Sequence, residues 1–161
     1  MVNAIAIDVD GIEQVEHRLL SLSVRSDNAQ PALKAIALML RRREAELFET
    51  AGSSGGDPWE DLAASTQARK EAAGFPPAIL IATSDLEASL TEEGGDHVEF
   101  ISDDELIFGT SDPKARFHQD GTSRMPARPV VQMDRQTQRE AVREVQRFLV
   151  GADVAAMAGV W

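Results

Sequence analysis

The stretch Arg116–Pro129, RFHQDGTSRMPARP, constrains this chain more than any other. Its second half is a basic arm (Arg124, Met125, Pro126, Arg128, Pro129) that fits neither a helix interior nor a central strand. Each proline fixes φ and removes a backbone donor. A polar turn, Asp120-Gly121-Thr122-Ser123, opens into the arm. An arm of this kind is extended and leaves most of its backbone hydrogen bonds unmet locally, so its natural place is against another surface. That points to assembly rather than to catalysis.

With 161 residues, 43% hydrophobic and 27% charged, the chain is long enough for one domain with a real core. We read residues 1–150 as a single domain and 151–161 as a small apolar tail, either flexible or docked on a neighbour. There is no cysteine, which removes thiol chemistry and disulfides. Aromatics are scarce at 5%, with no tyrosine, so a stacking platform for single strands is disfavoured. No run approaches a membrane span, and the N-terminal MVNAIAIDVDG lacks the basic region of a signal peptide. A net charge of −11 argues against a surface that holds nucleic acid.

Charge is distributed in blocks. Eleven acids and no Lys or Arg fall between Lys70 and Lys114, whereas Lys114 to Arg147 holds eight basic residues against four acids. Two readings stand: separate solvated faces, or head-to-tail complementarity between copies of the chain, which closes into a ring.

The periodicities give an α+β fold: a small antiparallel sheet packed against two or three helices, with an extended arm and a C-terminal helix. Residues 2–9 alternate as a short strand. Asp10 and Glu13 form a capping box for a first helix to about Val24. Asp27 or Asn28 caps a second helix with Pro31 in its first turn and Leu33, Ile36, Ala37, Leu40, Leu47 and Phe48 on one side. Arg41, Arg42 and Arg43 project mainly outward from it.

After a Gly/Ser loop, Trp59 anchors the exit against the core, with Leu62, Thr66 and Lys70 near helical spacing. Thr83 or Ser84 caps a helix whose Leu86 and Leu90 face inward. Residues 97–102 and 105–110 form a hairpin turning at Asp103-Asp104. An edge strand is expected at 129–133. Asp134 opens a last helix with Ala141, Val142, Val145, Phe148 and Leu149 on one face.

Catalytic signatures are absent. The three histidines, His17, His97 and His118, show no paired-ligand spacing, and GSSGGDP lacks the Lys-Ser/Thr of a phosphate loop. His118 with Asp120 is a weak candidate for an acid–base or metal pair in a hydrolytic accessory enzyme. No catalytic, cofactor or metal site is assigned.

Several residues in order resemble a known pattern. Phe48, Trp59, Leu62, Thr66 and Lys70, then Ile79-Leu80, Thr83, Leu86 and Ser89, resemble the first half of the Mu-like phage virion morphogenesis family, the tail completion or tail terminator proteins of tailed bacteriophages. Further on, Gly109 closes a strand, Phe117-His118-Gln119 with Gly121 resembles the aromatic-His-Gln box, and Met125-Pro126-Ala127-Arg128-Pro129 resembles the apolar-Pro-Ala-Arg-Pro box. The resemblance spans about Phe48 to Met133. Departures are Thr83-Ser84 in place of Thr-Gly, Asp120 in place of an apolar residue, and Val130-Val131 in place of Phe-Leu. A serine where glycine is usual strains a turn at positive φ.

The resemblance implies a virion protein that forms a ring, a hexamer, at the head-proximal end of the tail tube. Its partners would be copies of itself, the tail tube protein and a head-side connector or stopper, with viral DNA passing through without specific binding. The alternative within that setting is a head-side connector (stopper) ring of the neck. Asp103, Asp104 and Glu105 are expected to line the lumen or face a basic neighbour. Arg124, Met125, Pro126, Arg128 and Pro129 are expected at the intersubunit or tube interface, Arg128 gripping a carboxylate across it. The competing expectation is that the arm covers an edge of its own sheet. Phe48, Trp59 and Phe117 are the expected structural anchors.

Overall fold

The structure, a computed structural model, describes residues 12–151. The expected strand at 2–9, the Asp10 cap and the tail after Gly151 lie outside the described residues.

Helix α1 (Ile12–Asp27) runs one turn further than its apolar spacing predicts. Helix α2 (Gln30–Glu49) is the longest of the described elements. Asn28 Oδ1 accepts the Gln30 N–H at 3.0 Å, and proline stands in the first turn, where no intrahelical donor is needed. Ala32, Ile36, Ala37, Leu40, Leu47 and Phe48 recur at three- and four-residue steps and are buried. Beyond α2 the chain makes a 3₁₀ turn (Ser53–Gly55), an extended passage through Trp59, and helix α3 (Ala64–Ala72). Trp59 and Leu62 therefore precede the helix that their spacing suggested.

Helix α4 (Asp85–Thr91) buries Leu86, Ser89 and Leu90. Strands β1 (His97–Ile101) and β2 (Leu106–Thr110) pair antiparallel in the register Ile101↔Leu106 to His97↔Thr110, the hairpin expected around Asp103-Asp104. Helix α5 (Pro113–Asp120) follows, and α6 (Arg135–Val150) closes the described chain.

The core joins α2, α4 and two loops through Leu47, Phe48, Trp59, Leu86, Leu90 and Val130. Each large apolar side chain buried this way is worth roughly 1.5–3 kcal/mol. Phe48 and Trp59 meet edge to face, ring centroids 5.4 Å apart. Helix α4 and the hairpin pack on α2 and on each other, whereas α6 packs on α2 and α1.

Several expectations are corrected. Residues 129–133 form no strand, because the Val130 and Val131 N–H groups are taken by the Gln119 side chain. No side chain caps α4: Ser84 sits in the left-handed region at φ 62°, and the Thr83 hydroxyl bonds Asp85 Oδ2 instead. Arg41 and Arg43 are not outward projections, since both turn back onto their own chain. Val142 is 54% exposed and points away from the apolar face of α6 assigned to it.

Candidate assembly surfaces

The segment after β2 builds a lock. Asp112 caps α5 by accepting the Lys114 N–H at 2.8 Å, and the helix delivers His118 and Gln119 beside the arm. Gly121, at φ 72°, then turns the chain so tightly that a Cβ there would stand 2.7 Å from the Ala127 nitrogen. The arm runs back over α5: Arg128 N–H donates to the His118 carbonyl at 2.7 Å. Gln119 Oε1 accepts from Val130 N (3.0 Å) and Val131 N (3.2 Å), while its Nε2 donates to the Val131 carbonyl at 3.0 Å. An extended proline-bearing segment thus finds its missing partners in one glutamine.

Arg128 completes the lock from the other side. It is 4% exposed, and its Nε and Nη2 donate to the carbonyls of Glu60 (2.8 Å) and Asp61 (3.0 Å). Trp59 Nε1 donates to the Pro129 carbonyl at 3.0 Å. The expected grip of Arg128 on a neighbour's carboxylate is therefore replaced by backbone carbonyls of its own chain, and Pro129 is likewise held from within. Arg124, at the Thr122–Met125 turn, stays exposed with Met125 and Pro126 half-buried behind it. Phe117, expected as an anchor, is 54% exposed, because α5 turns His118 and Gln119 inward.

A cleft of about 680 Å³ lies under the arm, lined by Leu62, Leu80, Ile81, Leu86, His118 and Met125 among others. His118 Nδ1 is buried there without a hydrogen-bond partner among the described residues. Burial first, and the Arg128 charge second, push the His118 imidazole below its usual range, favouring the uncharged form. Asp120 is exposed, and no bond joins it to His118 among the described residues. No group of three or more His, Asp or Glu placed to hold a metal ion occurs among the described residues. The same residues hold no helix long and apolar enough to cross a membrane.

The acidic block divides. Glu99 is held by Arg41, whose Nε and Nη2 donate to it at 3.0 and 2.6 Å, and Arg41 also pairs with Glu93 at 2.9 Å. Asp112 is buried with Lys114 3.1 Å away. Asp103, Asp104 and Glu105 stay exposed at the hairpin tip. On the outer surface of α6, Arg135, Arg139 and Arg143 recur at four-residue steps, also exposed.

The chain matches the phage virion morphogenesis family over residues 9–150. It belongs to that family. No curated protein and no solved structure matched it. Membership in the phage virion morphogenesis family makes this a virion-associated protein with a structural or assembly role. The boxes that carried the resemblance now have physical meanings. Gln119 and Gly121 from one box and Arg128 and Pro129 from the other are two halves of a single intramolecular lock. Lys70 Nζ donates to the carbonyls of Ala78 (2.5 Å) and Ile81 (2.6 Å), fixing the loop before α4. Ser89 Oγ accepts the Thr110 hydroxyl at 2.7 Å, tying α4 to β2. Ser84 keeps the left-handed conformation that a glycine would adopt without strain. Sequence reasoning missed Gln119 as the clamp, although its place two residues before a glycine and beside a donor-rich extended arm was the available signal.

Proposed function

We propose that this chain is the tail terminator, or tail completion, protein of its virion: a ring, hexameric by the family resemblance, that caps the head-proximal end of the tail tube and joins it to the head. Family membership carries the reading. The lock supports it, because the family's boxes are spent on a rigid scaffold rather than on a reactive site, as a protein whose work is to present surfaces requires.

The net charge of −11 suits a ring through which DNA passes, since a negative wall repels the phosphate backbone and gives the genome nothing to bind. The exposed tip of the arm, Arg124 with Met125 and Pro126 behind it, would contact the tube or an adjacent subunit. Its prolines and the lock beneath pre-extend it, which lowers the ordering cost of docking.

Incubating the purified protein separately with uncapped tail tubes and with filled heads tests the reading. Binding to tubes, with joining of heads only to capped tubes, is the expected result. Binding to filled heads alone would transfer the chain to the head-side connector position and overturn the terminator reading.

A further inference from the structure

Two exposed surfaces of this molecule lie on opposite sides of α2 and are complementary. Arg41 and Arg43 stand two residues apart on that helix, about 200° around its axis. Arg41 reaches the hairpin through Glu99, and Arg43 reaches α6 through Asp134 at its N-cap. The hairpin and α6 are therefore mounted back to back.

The outer face of the hairpin carries the cross-strand pair Phe100 and Ile107, 53% and 47% exposed. A Cβ added at the neighbouring Gly109 would meet nothing within 4 Å, so that face is open. At its tip stand Asp103, Asp104 and Glu105, which make no ion pair among the described residues. The outer face of α6 carries Val142, 54% exposed, between Arg139 and Arg143, with Arg135 one turn earlier. Those three arginines also make no ion pair among the described residues. The hairpin face thus pairs two exposed apolar side chains, and the α6 face one, with three charges of one sign, and the signs are opposite.

We propose that the hairpin of one copy docks on the outer face of α6 of the next: Phe100 and Ile107 cover Val142, and the acids at the tip engage the arginine stripe. The inference rests on the ring-forming reading above and supplies its interface. A contact between two different faces on opposite sides of a subunit is head-to-tail. Repeated by rotation it closes a ring, whereas a face that meets its own copy stops at a dimer. Opposite charge fixes the register and speeds encounter, and the apolar contacts slow dissociation.

Sedimentation velocity across a concentration series tests this with the full chain, Asp103→Arg/Asp104→Arg, Arg139→Glu/Arg143→Glu, and a chain carrying all four changes. The expected result is self-association of the natural protein that weakens with salt, falls by roughly tenfold or more in either reversed chain, and returns in the fourfold chain. Far-ultraviolet circular dichroism of each variant separates loss of contact from loss of fold. Association unaffected by either reversal, no recovery in the fourfold chain, or a natural protein that stays monomeric throughout would overturn the proposal. Charge-dependent association without tube binding would keep the interface and remove the terminator reading.

Discussion

The Arg41 guanidinium clasps the Glu99 carboxylate with two nitrogens, at 3.0 and 2.6 Å, and so fastens β1 to the middle of α2. His97 Nε2 stands 3.3 Å from the same Oε2 oxygen that Arg41 holds. Burial pushes Glu99 upward, but hydrogen bonds from Arg41 and His97, reinforced by their charge, outweigh it and hold the acid below its usual range. A two-stranded hairpin is marginal by itself, and this clasp, the packing on α2 and α4, and the Ala29 N–H donated to the Asp103 carbonyl at 2.6 Å hold it in place.

Arg41→Ala leaves a partly covered carboxylate beside β1 with only a histidine. The expected loss is about 2 kcal/mol, read from urea denaturation at neutral pH, and it should shrink as acid protonates Glu99. The direction follows from a folded pKa that is depressed: the contribution is present above the unfolded value and is lost as pH falls through the folded one.

Glu44 carries the opposite sign. It sits on the buried face of α2 at 2% exposure, with one carboxylate oxygen unpartnered among the described residues. Burial raises its pKa from 4.5 to about 8, an effect that the Arg43 charge and the Gln132 backbone only partly offset. Native protein therefore holds this proton more tightly than unfolded chain, and stability should decline as pH rises from about 4.5 to about 8. Glu44→Gln should flatten that decline and make the protein more stable than the natural chain at pH values above the window. Denaturant midpoints measured across the range check it.

Arg128 and Arg124 should separate cleanly. Arg128→Ala abandons two buried carbonyls and opens space beneath the arm, at an expected cost of about 3 kcal/mol in thermal or urea unfolding. Arg124→Ala should stay within about 0.5 kcal/mol of the natural stability, as exposed substitutions do, yet weaken binding to tail tubes. The two measurements together distinguish the scaffold of the arm from its contact surface.

Ser84→Gly should stabilise the protein by roughly 1 kcal/mol or less. The left-handed φ of 62° costs a serine about that much, while glycine's greater freedom in the unfolded chain subtracts from the gain. A thermal melt that moves downward would show that the serine side chain contributes something its bonding does not reveal.

Much of this fold was legible in the sequence, for local reasons. The hairpin was readable because two short runs rich in β-branched and aromatic residues flank the Asp103-Asp104 turn. Helix α2 was readable because its buried residues keep a three-four rhythm over five turns. Helix α5 was equally available, with Asp112 as cap, Pro113 in the first turn and Gly121 at the end, but Arg116–Pro129 was read only for its polar turn and the arm of its second half.

The role of Arg128 had no local signal. Its partners are backbone carbonyls 67 and 68 residues upstream, and no property of the Glu60 or Asp61 side chains announces them. The inward turns of Arg41 and Arg43 were hidden for the same reason, since three consecutive arginines look solvated until distant carboxylates arrive. Val142 fell on the wrong face because an apolar residue on a helix is assigned to the core by default, although an interface wants the same chemistry.

Cryo-electron microscopy of the virion neck tests the central claim most directly. The account predicts a ring of this chain on the head-proximal end of the tail tube, each hairpin seated on α6 of the next copy and Arg124 facing the tube or a neighbour. Density for the chain on the head side of the neck, or its absence from the particle, would contradict it.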